Sequence, residues 1–379
     1  MSDETIDLDP NATTPLLPEV VDAMLPYLRE HFGNPSSSHA IGRRARAAVD
    51  TAREQLAALI EAEPDEVYFT SGGTEANNLA IRGAAEAQPD PRGIVTSSVE
   101  HPAVAAVCAW LERQGWRVTR VRVDSGGCVR VGELAEAVRA DTLLVTLMHS
   151  NNETGVLQPV AEAAHAARRM RALVHTDAAQ SVGKVPVSVR ALDVDLLSVA
   201  GHKLYAPKGV GALFVRRGTP LRPFMLGSGH EHGLRPGTEN VASIVGLGAA
   251  CEAARRDLRI ERERVSRLRD ELWGRLLSGA PGVKLNGEGS EPLPNTLNVR
   301  FPGVSGPALL ASCPEIAAST GAACHADGEQ ASAVIVAMGV DPVEALGSVR
   351  LTLGRSTSAG QVASAADLLV STWRRLAGQ

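Results

Sequence analysis

The chain has 379 residues, 44% of them hydrophobic and 21% charged, and a net charge of −5. At about 150 residues per domain this length predicts two or three domains with a large buried core. The mild acidity without a basic run argues against direct nucleic-acid binding, and no stretch reaches the roughly 18 apolar residues of a membrane span.

Strand-like and helix-like segments alternate through the first two thirds. EVYFT (66–70) reads as a strand and GTEANNLAIRGAAEA as the helix after it. GIVTSSV (93–99) precedes the helical PAVAAVCAWLERQG, RVTRVRVD precedes VGELAEAVRA, and TLLVTLMHS (142–150) precedes PVAEAAHAARRM. LVHTDAA (173–179), DLLSVAG (195–201) and GALFVRR (211–217) are further strands. Such alternation predicts a mostly parallel sheet with helices on both faces.

Residues 240–277 then form a long charged amphipathic stretch, whose charges read as a solvated helix face. TLNVRF, PEIAAST, SVRLTL and a closing helix SAGQVASAADLLVSTWRRLAG follow. This predicts a large domain over 16–255 and a smaller α+β domain formed by 1–15 and 256–379. Aromatic residues make up only 3%, so aliphatic side chains must fill both cores.

The chemistry concentrates at strand ends. In AGHKLYAPKGVG (200–211), Lys203 lies between a strand and a Gly/Pro-rich turn. A rigid, partly desolvated lysine there is suited to Schiff-base chemistry; the plainer reading is a turn lysine, with Lys208 as local competitor. Asp177 ends the buried strand in HTDAAQ, where it either caps the next element or pairs with a cationic partner such as a protonated pyridine nitrogen. SGGTEANN (71–78) opens a helix with Gly72, Gly73 and Thr74, a phosphate cradle in outline. His101 starts the helix after another strand and either caps it or lies against a ring. Each signal is ambiguous alone, but ligands of open α/β sheets sit at the C-terminal ends of strands, and four such junctions agree on pyridoxal 5′-phosphate (PLP).

Five cysteines, Cys108, Cys128, Cys251, Cys313 and Cys324, show no zinc spacing and no CxxC pair, so no metal site is expected. An acidic start without an apolar h-region and an odd number of scattered cysteines suggest reduced thiols in the cytoplasm. Cys324 alone sits in a small, polar, Gly-containing stretch, AASTGAACHADGEQASA.

SGGTEANN, EHPAV, HSNNETG, HTDAAQ, AGHKLYAPKGVGAL, LRPGTEN and the C-terminal STGAACH…SVRLTLGRST occur in this order and together resemble the cysteine desulfurase family. That family belongs to the class V aminotransferase-like PLP enzymes of fold type I and includes the selenocysteine lyases. The resemblance runs from about residue 8 to the C-terminus. It implies that Lys203 carries PLP covalently, Asp177 pairs with the pyridinium nitrogen and Gln180 hydrogen-bonds the ring oxygen. It implies that His101 is catalytic, stacking on the ring and shuttling protons, and that Gly73, Thr74 and His202 bind the phosphate. Thr238 would reach the phosphate of the other subunit of a homodimer with shared sites. Arg350 and Asn152 would hold the substrate carboxylate. Cys324 would take sulfur from L-cysteine as a persulfide, leaving L-alanine, and pass it to an acceptor protein.

The chain departs from many relatives at Ala200, where Ser is common, at Ala206, where Gly is common, and at Pro10. The Cys324 loop is also similar to selenocysteine-lyase sequences, which makes L-selenocysteine the alternative substrate. An aminotransferase in which Cys324 is incidental, and a non-catalytic sulfur-relay scaffold, are the other readings.

Overall fold

The computed structural model describes residues 5–321 and 330–378. After a short strand β1 (Ile6–Asp7) come two helices, α1 (Pro18–Arg29) and α2 (Ala40–Ile60), that the reading above did not anticipate. Their signal was present: Ala45, Val49, Ala52, Leu56 and Ile60 recur at helical spacing, and all are buried. The alternating region follows as β2 (Val67–Thr70), α3 (Gly73–Glu86), β3 (Gly93–Ser97), α4 (Pro102–Arg113), β4 (Arg117–Val121) and α5 (Val131–Ala137). It continues as β5 (Thr142–Thr146), α6 (Val160–Arg169), β6 (Leu173–Asp177), β7 (Leu196–Ala200) and β8 (Gly211–Val215). These strands form one seven-stranded sheet in the order β2-β8-β7-β6-β5-β3-β4.

All neighbouring pairs from β7 to β4 are parallel, while β8 is antiparallel to both β7 and β2. Hence β2 points the same way as β7, and only β8 runs against the rest. β3, β5, β7 and β8 are buried at every residue, as expected for strands covered on both faces. The ends of β2, β3, β6 and β7 therefore face one edge of the sheet, bringing the sequence motifs together.

Two of the four expected strand–helix junctions take another form. Lys203 lies in a 3-10 turn inside the β7–β8 hairpin, and Asp177 is followed by a turn. A hairpin is the short route between antiparallel neighbours, and Pro207 together with Gly209, at φ +81°, suits the turn.

The long helix α7 (Val241–Gly279) links two cores. Ile244, Leu247, Ala250, Cys251 and Ala254 pack with the first core, and Val265, Leu268, Leu272 and Leu276 with the second. Beyond it lie β9 (Lys284–Leu285), β10 (Thr296–Arg300), α8 (Gly306–Ala311), β11 (Ile316–Ala317), α9 (Ala333–Ala337), α10 (Pro342–Ala345), β12 (Ser348–Thr352) and α11 (Ala359–Ala377). β12, β10 and β9 form an antiparallel sheet, and β1 pairs in parallel with β11. Val334, Ile335, Met338 and Ala345 return to the first core, so the C-terminal region is not packed as one body. No described helix is long and apolar enough to cross a membrane.

Candidate active site

The sheet edge opens into a cavity of about 340 Å³ between the two cores. Gly73, Thr74, His101, Asn152, Asp177, Gln180, His202, Lys203 and Arg350 all line it. Thr238 is exposed and lies apart from it. Its segment is anchored through Glu231, which takes two hydrogen bonds from Arg53 at 2.9 and 2.7 Å and one from the Phe69 N–H at 2.8 Å. Cys324 lies outside the described residues; Gly321, three residues before it, lines the cavity. Ser332, on the far side of that segment, donates to Glu153 Oε2 at 2.5 Å, and the same carboxylate packs on Gly321.

The base of the cavity is built for a cation opposite an anion. Asp177 is 8% exposed. Its Oδ2 accepts from Asn77 Nδ2 at 2.7 Å and its Oδ1 from the Ala179 N–H at 3.0 Å. The capping contact and a buried, oriented carboxylate thus coexist. Lys203 is pushed to a lower pKa by burial and by Arg350, against the pull of Asp177 and Asp9. Such a lysine reaches its nucleophilic neutral form more readily than a surface one. His101 caps α4, its Nδ1 accepting from the Ala103 N–H at 3.1 Å, which leaves Nε2 for the cavity. Burial, then Lys203, lowers its pKa and favours the neutral ring.

The expected phosphate cradle is the α3 N-terminus. Gly72, at φ +151°, makes the turn, and the first intrahelical bond runs from the Ala76 N–H to the Gly72 carbonyl. The N–H groups of Gly73, Thr74 and Glu75 precede that bond and are available to an anion. A Cβ on Gly73 would lie 3.2 Å from Ala200 Cβ, so the glycine keeps this wall open. With alanine at 200, the wall supplies no hydroxyl there.

At the opposite wall Arg350 donates from Nη1 to the Asn152 carbonyl at 3.0 Å and from Nη2 to Asp9 Oδ1 at 2.6 Å. Its Nε is buried without a partner among the described residues. Burial raises Asp9 despite the adjacent Arg350. Asn151 shapes the Asn152 turn, its Oδ1 accepting from the N–H groups of Glu153 and Thr154.

Glu100, beside His101, was not anticipated. Oε1 accepts from Ser97 Oγ at 2.7 Å and the Met148 N–H at 3.0 Å, while Oε2 is buried without a partner among the described residues. Burial, the largest influence, raises its pKa from 4.5 to about 8. The folded state therefore holds this proton where the unfolded state loses it. The resulting stability is complete below the unfolded value and is lost as pH rises through the folded one. Glu100→Gln keeps a neutral side chain and is expected to melt about 2–4 °C above wild type at pH 8 and level with it at pH 4. Calorimetry at the two pH values checks this, and an unchanged difference between them would refute it.

The thiolate form is disfavoured at the other cysteines. Cys108, Cys251 and Cys313 are buried. Burial raises all three thiols and Cys128 as well, Cys108 to about 12.

A lysine of lowered pKa, a buried carboxylate, an anion cradle and an arginine with an unused buried donor are the complement that PLP and an amino-acid substrate require. The chain belongs to the aminotransferase class-V family, whose model matches residues 6–364, and within it to the cysteine desulfurases. These enzymes depend on PLP. A cysteine desulfurase of Nostoc sp. is 44% identical over 373 residues, covering 98% of this chain and 93% of that one. The solved structure of a NifS-like protein superposes with a TM-score of 0.91 at 36% identity, over 99% of this chain and 100% of that one. SspA, solved in complex with cysteine, matches with a TM-score of 0.82 at 34% identity, over 92% and 99% of the two chains.

Proposed function

We propose that this protein converts L-cysteine to L-alanine and carries the released sulfur on Cys324. The observation that carries this reading is the convergence of Lys203, Asp177, the α3 N-terminus and Arg350 on one cavity, with Gly321 at its wall. PLP, when bound, supplies an electron sink that acidifies the Cα–H of an attached amino acid. Lys203 holds the cofactor and then moves the Cα proton. Asp177, oriented by Asn77 and Ala179, keeps a proton on the ring nitrogen. Gln180 donates to the phenolic oxygen, and His101 covers the ring. Gly73, Thr74 and His202 hold the phosphate. Arg350 turns its spare donor to the substrate carboxylate beside Asn152.

The Cys324 thiolate then attacks the substrate sulfur. An S–S bond forms as the Cβ–S bond breaks; Cβ keeps the electron pair, takes up a proton and leaves as L-alanine. Cys324 is left as a persulfide for an acceptor protein. The same reading makes the protein a cytoplasmic homodimer, in which exposed Thr238 completes the partner subunit's phosphate site.

The test is product analysis of the PLP-loaded protein with L-cysteine. With a reductant, alanine and sulfide should form in equal amounts; without one, mass spectrometry should find about one added sulfur on the Cys324 peptide, as nucleophilic transfer requires. No alanine from cysteine but rapid alanine from selenocysteine would make it a selenocysteine lyase. Amino transfer to a keto acid, with no sulfur on Cys324, would make it an aminotransferase.

A further inference from the structure

Gln180 lines the cavity, and behind it lies a second lysine that the chemistry above does not use. Lys184 Nζ donates to Gln180 Oε1 at 2.9 Å and to Asn11 Oδ1 at 3.0 Å. Gln180 Nε2 donates to the Asn11 backbone carbonyl at 3.0 Å. These contacts settle which way the amide points. A lysine meeting two oxygens donates to both, whether as ammonium or as amine, and a backbone carbonyl only accepts. The Gln180 oxygen therefore faces Lys184 and its NH₂ faces Asn11, with one N–H still unused.

The two sides are physically distinct. Gln180 borders the 340 Å³ cavity, while Lys184 borders a separate small one of about 40 Å³ beside Tyr205 and Asn295. Both Lys184 partners are uncharged oxygens, and Lys203 and Arg350 add to burial in holding its pKa well down. A lysine placed near two other cations, with no carboxylate against it among the described residues, is an expensive way to fill space. Asn11 is fixed in turn by Asn295 Nδ2 on its Oδ1, by Thr296 on its Nδ2 and by Thr352 on its N–H.

We propose that Lys184 is a positioning residue for the cofactor: by holding the amide oxygen of Gln180, it keeps that amide's second N–H aimed into the cavity, where it meets the phenolic oxygen of PLP. The inference rests on the proposed placement of that oxygen at Gln180. Without Lys184 only the Asn11 carbonyl opposes a flip of the amide, which would turn an acceptor toward an oxygen bearing negative charge.

The readout is the pH midpoint of the visible absorbance of resting, PLP-loaded protein. A hydrogen bond donated to the phenolic oxygen favours the form that has lost the proton shared with the lysine nitrogen, so losing the donor raises the midpoint. Lys184→Met and Gln180→Ala are each expected to raise it by about one pH unit, and the double variant by no more than either alone. Lys184→Gln, too short to hold both oxygens, should shift it in the same direction and serves if Lys184→Met does not fold. A midpoint unmoved by either Lys184 substitution while Gln180→Ala shifts it would overturn the inference alone. So would a double variant whose shift is the sum of the two. A midpoint unmoved by Gln180→Ala would overturn the placement of the ring oxygen, and the inference with it.

Discussion

Lys203→Ala is expected to lower alanine formation from L-cysteine by about 10⁴-fold, the upper range for removing a positioned acid–base group. The residue has two tasks that no neighbour can take over. Under the proposed function it anchors the cofactor covalently and moves the Cα proton. Lys184 is engaged on the far side of Gln180, and Lys208 lies beyond the cavity lining in the Gly-rich turn. The lowered pKa of Lys203 is set by burial and Arg350, and a substituted lysine elsewhere would not inherit that setting. PLP should still bind through the phosphate cradle and Asp177, but reversibly, so that borohydride no longer fixes it to the chain. Absorbance spectra, borohydride reduction and steady-state alanine assays check this together. A label still fixed by borohydride in Lys203→Ala would reject Lys203 as the anchor.

Cys324→Ala is expected to abolish alanine release from L-cysteine, to below about 10⁻³ of wild type, while leaving PLP absorbance and cysteine binding intact. The substrate's sulfur is a poor leaving group unless a nucleophile receives it. Cys108, Cys128, Cys251 and Cys313 are not placed to substitute: none lines the cavity, and burial raises every one of their thiols. The variant separates sulfur transfer from amino transfer. Rapid cysteine-dependent alanine formation in Cys324→Ala would show that the thiol is incidental and that the sulfur leaves by another route. Binding is followed as a spectral change on mixing, so loss of the substrate site would be told apart from loss of the acceptor thiol.

The parts of the site legible in the sequence share one property: each lies in a short, compositionally odd segment straight after a buried apolar run. Lys203, Asp177, His101 and the Gly72–Gly73–Thr74 turn stand out because glycine, histidine or charge at a strand end is hard to explain by packing. The parts that were not legible act through partners far along the chain. Asn77 looks like any polar residue inside a helix until β6 brings Asp177 to its side chain. Asp9 and Asn11 sit in a near-terminal segment with little regular structure, and their meaning comes from Arg350, Gln180 and Lys184. Glu100 read as a neighbour of His101, and only burial made it notable. The same contrast holds for the fold. The alternating strands and helices announce themselves by period, whereas the hairpin around Lys203 depends on the direction of β8, which its residues do not encode locally.

The ion pair between Asp9 and Arg350 joins residues 341 positions apart. Residue 350 has therefore to be synthesised before this wall of the cavity can form, whereas the β7–β8 hairpin bearing Lys203 involves only local contacts. A product cut short before residue 350 would keep Lys203 and the α3 N-terminus but lack the arginine proposed to clamp the substrate carboxylate.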